Sequence, residues 1–128
     1  MSLAISTLYA AILGLLFVPA TAYVGFYRVQ NNILLLDGGD QELARRIRAQ
    51  GNFIETVPLA VILIILMEFN GASAAWLHTL GLVLVLSRIT HYLTIATNPA
   101  NKAPRALGMA GTLGVYIAAG IWLLSAVV

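Results

Sequence analysis

Arg48, Asn52 and Glu55 follow one another at intervals of four and three residues, a spacing that sets them on one face of a helix within about 60° of arc. An arginine, an amide and a carboxylate on one face can grip a ligand that carries both charges, or can satisfy one another. The stripe continues through Leu59, Ile62 and Leu66 into the apolar run from Val57 to Met67, where ionisable groups are costly to desolvate and mark functional sites by default. Spacing alone leaves two alternatives open: a ligand-binding face, or a structural ion pair between Arg48 and Glu55 bridged by Asn52. Arg45 lies close to the stripe one turn earlier, whereas Arg46 and Gln50 point elsewhere. Pro58 cannot donate to the carbonyl of Ile54, so a bend or a free backbone acceptor is expected one turn from Glu55.

A second polar face joins Arg88 to His91 and Tyr92, three and four residues on. Taken alone, Arg88 reads equally as a snorkelling anchor near a helix end, and a lone histidine such as His91 is more often an interface hydrogen-bonding group than a base. His78 and Glu68 stand far from the basic residues and read as interfacial and solvated. Two separated histidines without a clustered carboxylate do not make a metal site, so no metal is expected. Cysteine is absent, which removes disulfides, thiolate metal sites and any protein thiol nucleophile. Thiol chemistry would need a thiol brought by a ligand.

The elements that position these groups are transmembrane helices. With 60% hydrophobic and 9% charged residues in 128 and a mean hydropathy of +0.90, the chain is far more apolar than a soluble domain, which carries roughly 25% charge. The apolar runs are long and continuous rather than alternating, so helices fit and barrel strands do not. Four spans are expected, at about 3–28, 42–69, 72–97 and 105–127, each meeting the ~20 residues that cross a bilayer core. The expected fold is an all-α integral membrane protein, a single domain over 1–128 built as an antiparallel bundle of four transmembrane helices. Ala20-Thr21-Ala22 looks like a signal-cleavage site, but no Lys or Arg precedes the run, which exceeds the roughly 7–15 residues of a signal core. The stretch is expected to remain as the first span.

Arg28, Arg45, Arg46 and Arg48 flank the first connection, and Lys102 and Arg105 lie in the third, whereas the turn around Asn70-Gly71 has no Lys or Arg. By the positive-inside rule the first and third connections face the cytoplasm and both termini face the opposite side. The net charge of +2 is too small and dispersed for nucleic acid. Gln30-Asn31-Asn32 and Asp37-Gly38-Gly39-Asp40 are turn chemistry, and Ile33 to Leu36 between them is expected along the interface. Asp40 or Gln41 opens the second helix, with Glu42 near its positive end, and Pro104 suits the first turn of the fourth. Ala110, Gly114 and Ala118 give that helix a small-residue face for close approach, within a subunit or between subunits.

The run from Arg45 to Pro58 resembles the signature of the MAPEG family, membrane-associated proteins in eicosanoid and glutathione metabolism, with the pattern Arg-Ala-x-x-Asn-x-x-Glu-x-x-Pro from Arg48 onward. Ser87-Arg88-Ile89-Thr90-His91 and Arg105-Ala106-Leu107 are similar to runs in microsomal glutathione transferases, and Asp37-Gly38-Gly39-Asp40 to bacterial members of unassigned activity. The resemblance covers most of the chain. It implies a homotrimer in a bacterial inner membrane, with glutathione as co-substrate bound between neighbouring subunits and open to the cytoplasmic leaflet. Carried across, Arg48, Asn52 and Glu55 would hold the peptide's charged and amide groups, with Arg28, Gln50, Arg88 and His91 as further contacts, and Arg105 would stabilise the thiolate.

The implied reaction is transfer of the thiol to a lipophilic electrophile reaching it from the bilayer, or reduction of a lipid hydroperoxide. Members that make leukotrienes carry aromatic residues where this chain has Thr56 and Ile95, which argues against that synthesis; Tyr92 stands at an adjacent position but points to a different side of the helix. One extra residue between Arg88 and Arg105 makes Lys102 a competitor for the thiolate role. Two other classes stay open. A non-catalytic relative that binds and presents lipid would keep the fold and lose thiol activation. A small proton-coupled multidrug exporter would use Glu55 as its carrier, although the arginines beside it would partly neutralise that carboxylate.

Overall fold

In a computed structural model that describes residues 3–127, the chain forms four helices: α1 (Ala4–Gln30), α2 (Gln41–Phe69), α3 (Ala74–Thr97) and α4 (Lys102–Val127). No strand occurs among the described residues. All four are long and apolar enough to cross a membrane, so the expected all-α bundle is the observed one. The largest difference from the expected spans is at α4, which begins at Lys102 and takes Pro104 into its first turn. There the missing N–H has no carbonyl to serve. α2 runs without a break through Pro58.

The helix ends follow from specific side chains. Asp40 accepts from the backbone N–H of Leu43 through Oδ1 at 2.9 Å, the N-cap that its residue type favours, with Glu42 in the first turn. Its Oδ2 accepts from the Tyr27 hydroxyl at 3.0 Å, tying the start of α2 to the end of α1. Ser73 caps α3. α1 has no side-chain cap of its own. Glu68, at the far end of α2, supplies one: Oε1 accepts from Ile5 N at 3.1 Å and Oε2 from Ser6 N at 2.7 Å. The expectation that Glu68 is merely solvated is therefore corrected, because a carboxylate at the positive end of a helix satisfies orphan donors. Beside it His78 is held by Tyr9, whose hydroxyl lies 3.1 Å from Nδ1 and donates to the His78 carbonyl at 3.1 Å.

α2 and α3 each pack against all the other helices, whereas α1 and α4 make no contact with one another. α3 is the most deeply buried of the four. Leu13, Phe53, Ile64, Met67, Leu77, Leu84 and Val115 form the centre of the apolar core. α1 and α4 present exposed side chains such as Leu15, Phe26, Leu107 and Ile121 outward, as the helices of a membrane bundle do. In the first connection Leu34, Leu35 and Leu36 are likewise exposed.

α3 and α4 approach through Gly108. A Cβ there would come 2.8 Å from the Ser87 carbonyl oxygen and 2.9 Å from the His91 backbone nitrogen. Ser87 also stands against Gly111. Gly114 has open space around it, whereas Ala118 on the same small-residue face packs against the core. Because backbone atoms cannot give way as a side-chain tip can, Gly108→Ala is expected to destabilise the bundle by about 1–3 kcal/mol, the usual range for overpacking. Thermal unfolding in detergent reads this directly; a variant as stable as wild type would show that the helices separate freely there.

Candidate functional site

On α2 the Arg48 guanidinium meets Glu55 as a fork on a carboxylate: Nη1 donates to Oε1 at 3.1 Å and Nη2 to Oε2 at 3.0 Å, the strongest geometry for such a pair. The pair is open to the outside of the subunit, with the two side chains 60% and 55% exposed. Asn52 does not bridge it. Although it lies on the same stripe, Asn52 is buried and turns its Oδ1 inward to Arg88. Thus only the ends of the expected ion pair exist, and the amide belongs to a different network.

Arg88 is 1% exposed, which corrects its reading as a snorkelling anchor. Its Nη1 donates to Asn52 Oδ1 and to Thr56 Oγ1, both at 2.8 Å, and its Nη2 to the Gly108 carbonyl at 3.0 Å. No carboxylate pairs with it among the described residues. Thr56 completes the tie by donating to the Asn52 carbonyl at 2.7 Å, and Tyr116 of α4 donates to the Thr56 carbonyl at 2.6 Å. One buried cation thereby fastens α2, α3 and α4 together. Family resemblance marks Thr56 only as the place of a missing aromatic, whereas its position four residues after Asn52 is what signals the contact.

Between α2, α3 and α4 opens a cleft of about 440 Å³, lined by Arg48, Asn52, His91, Lys102, Arg105 and Met109 among others. It holds three cations and no carboxylate, so its chemistry is anion recognition. The polar residues of α2 and α3 form layers across the membrane. Glu55 and Arg88 are each fourteen residues from the cation-free end of their helices, at Phe69 and Ala74, or about 21 Å into a core of about 30 Å. Asn52 and His91 lie about one turn nearer the cationic end, and Arg48 and Arg105 at its boundary.

Other expected site residues fall elsewhere. Arg88 and Glu55 do not line the cleft. Gln50 donates to Thr21 Oγ1 of α1 at 3.0 Å, on the α1-facing side of α2. Arg28 stands seven residues beyond Thr21 on the same face of α1, with Nη1 buried and without an acceptor. Tyr92 also faces α1, its hydroxyl 3.5 Å from the Ala20 carbonyl. Within one subunit, then, Arg48, Asn52, His91, Lys102 and Arg105 line one cleft, and Arg28 and Gln50 lie outside it. No cluster of three metal-ligating side chains occurs among the described residues.

The sequence model of the MAPEG family matches residues 6–125. The chain is also 39% identical over 88 residues to inner membrane protein YecN of Escherichia coli strain K12, an alignment covering 69% of this chain and 67% of that protein. The same figures hold for YecN of Escherichia coli O6:H1.

Thr56→Val keeps the side-chain volume but removes an acceptor from the buried guanidinium. It is expected to destabilise the protein by about 1–3 kcal/mol, the penalty for an unsatisfied buried donor, while Thr56→Ser stays near wild type. Thermal unfolding of the three proteins in detergent checks this, and an unchanged Thr56→Val midpoint would contradict the network's role.

Proposed function

Since the chain belongs to the MAPEG family, we propose that it binds glutathione in the bacterial inner membrane and acts as a glutathione transferase on lipophilic electrophiles, or as a peroxidase on lipid hydroperoxides. The observation that carries this proposal is the convergence of Arg48, Lys102 and Arg105 with Asn52 and His91 around one cleft. Glutathione offers two carboxylates, one ammonium and a thiol. Guanidinium and ammonium groups suit the carboxylates, and the exposed Arg48–Glu55 pair matches the ammonium and carboxylate that share the γ-glutamyl end. Asn52, fixed by Arg88, is left to meet the peptide amides.

Arg105 lies at the membrane boundary with its cation facing the same cleft. A neighbouring guanidinium lowers the pKa of a thiol, ordinarily about 8.5, and so raises the nucleophilic fraction at neutral pH. The thiolate then attacks an electrophilic carbon and expels its leaving group, or adds to an activated double bond that takes up a proton. With a hydroperoxide the thiolate takes the terminal oxygen and releases the alcohol; a second glutathione then yields the disulfide and water. Lys102 is the alternative cation for this step.

The separation of Arg28 and Gln50 from the cleft supports a homotrimer in which one subunit presents the cleft and its neighbour presents those two residues. The exposed charges of Arg48 and Glu55 support it too, since charges at that depth face a bundle interior or a watered cavity rather than lipid. Cations gathered at one end of the helices favour a cytoplasmic cleft and termini on the other side. Both oxygens of Glu55 are engaged by Arg48, which disfavours a free proton carrier.

Glutathione titration of the purified protein tests the proposal. Saturable binding is expected, and Arg48→Ala is expected to weaken it by about 1.5–3 kcal/mol, the contribution of a charged hydrogen bond. Absence of saturation by wild type at millimolar glutathione would reject the transferase and the peroxidase alike.

A further inference from the structure

We propose that the cavity between α1 and α3 holds a chloride ion as the counterion of Arg88. The cavity encloses about 390 Å³, and its lining includes Leu16 and Tyr23 of α1, Phe53 of α2, and Arg88, Tyr92 and Thr97 of α3. It shares no lining residue with the cationic cleft, and Arg88 is its one charged residue.

The guanidinium is both uncompensated and incompletely bonded. Three of its five N–H groups have acceptors, and all three acceptors are neutral: an amide, a hydroxyl and a backbone carbonyl. Its Nε is buried without any partner. A buried cation in that state is costly, and an anion beside it offsets the cost. A second donor is close by: Tyr92 is four residues on, on the same side of α3, and lines the same cavity. Its hydroxyl has only the 3.5 Å contact with the Ala20 carbonyl, at the outer limit of a hydrogen bond. Turned from that contact, the hydroxyl joins Arg88 Nε in donating to a single small ion.

Depth and donor count select the anion. Arg88 lies fourteen residues from Ala74, about 9 Å below the cationic boundary of a core about 30 Å thick. One cation and two donors cannot replace the hydration of a divalent phosphate or sulfate there, whereas chloride carries a single charge and costs far less to strip of water. The way in is from the cationic end. The cavity reaches Thr97, the exposed last residue of α3, nine residues beyond Arg88 or about 14 Å along the helix, so an ion enters from water rather than from lipid. Through Nη1 the same guanidinium holds Asn52 of the cleft, and the ion thereby steadies a cleft residue without entering the cleft. The site does not depend on glutathione, so its test omits that ligand and stands apart from the thiol chemistry.

Chloride-35 NMR of the purified protein in dodecyl maltoside tests the proposal, because exchange with a protein site broadens the line of free chloride. Wild type is expected to give excess linewidth that saturates with chloride and is displaced by bromide. Tyr92→Phe removes the second donor at the cost of one 3.5 Å contact and should weaken chloride at least about threefold, whereas Arg105→Ala, which alters the cleft alone, should leave the saturable broadening in place. Exchanging gluconate for chloride at constant ionic strength should also raise the thermal unfolding midpoint of wild type by about 3–6 °C, as tenfold saturation of one site does for a chain of this size, and that of Tyr92→Phe by less. Wild type without saturable broadening would overturn the proposal. So would broadening that Arg105→Ala removes and Tyr92→Phe leaves intact, which places the ion in the cleft, or a wild-type midpoint equal in the two salts.

Discussion

A guanidinium buried among transmembrane helices without a carboxylate has to collect its acceptors from whatever surrounds it, and the polar interior of this protein is arranged around that need. Arg88 draws an amide and a hydroxyl from α2 and a backbone carbonyl from α4. Removing any one acceptor leaves a charged donor stranded in low dielectric, which is far more costly than the bond itself is favourable. The network therefore fixes the rotation of α2 and α4 about α3 more tightly than apolar packing could, because lipid competes for apolar contacts and not for these. Gly108 contributes twice, by offering its carbonyl to Arg88 and by having no side chain to hold α3 and α4 apart.

From that rotation the cleft follows. With Asn52 pulled inward, the α2 stripe divides, so that the amide lines the cleft while Arg48 and Glu55 close on each other at the outer surface. α3 brings His91 to the same cleft, and the first turn of α4 brings Lys102 and Arg105. The result is a graded arrangement, cations at the membrane boundary and neutral polar groups beneath them. The same α2 turns Gln50 toward α1, so one helix serves two faces.

Much of this was legible in the sequence. Continuous apolar runs broken by Asp37-Gly38-Gly39-Asp40, Asn70-Gly71 and Asn98-Pro99 define four helices to within three residues at each end, because in a bilayer backbone satisfaction leaves few alternatives. The stripe of Arg48, Asn52 and Glu55 and the cationic end were also visible, since both rest on periodicity within one helix or on charge along the chain. What stayed hidden depends on how helices turn against each other. Glu68 caps a helix more than sixty residues away, Asn52 faces Arg88 rather than its own neighbours, and the close approach uses Gly108 where the small-residue pattern pointed to Gly114. Nothing in linear spacing fixes a helix's rotation about its axis to the few tens of degrees that decide such contacts.

Thiolate absorbance of glutathione bound to the purified protein addresses the central claim most directly, because it reports the state of the sulfur rather than the occupancy of the cleft. Bound to wild type, the thiol is expected to titrate below the ~8.5 of a free cysteine thiol, with the thiolate signal at neutral pH lost in Arg105→Ala and kept in Lys102→Ala. Bound glutathione that titrates like the free peptide in wild type would contradict thiol activation by this cleft, and loss in Lys102→Ala alone would move the role from Arg105 to its neighbour.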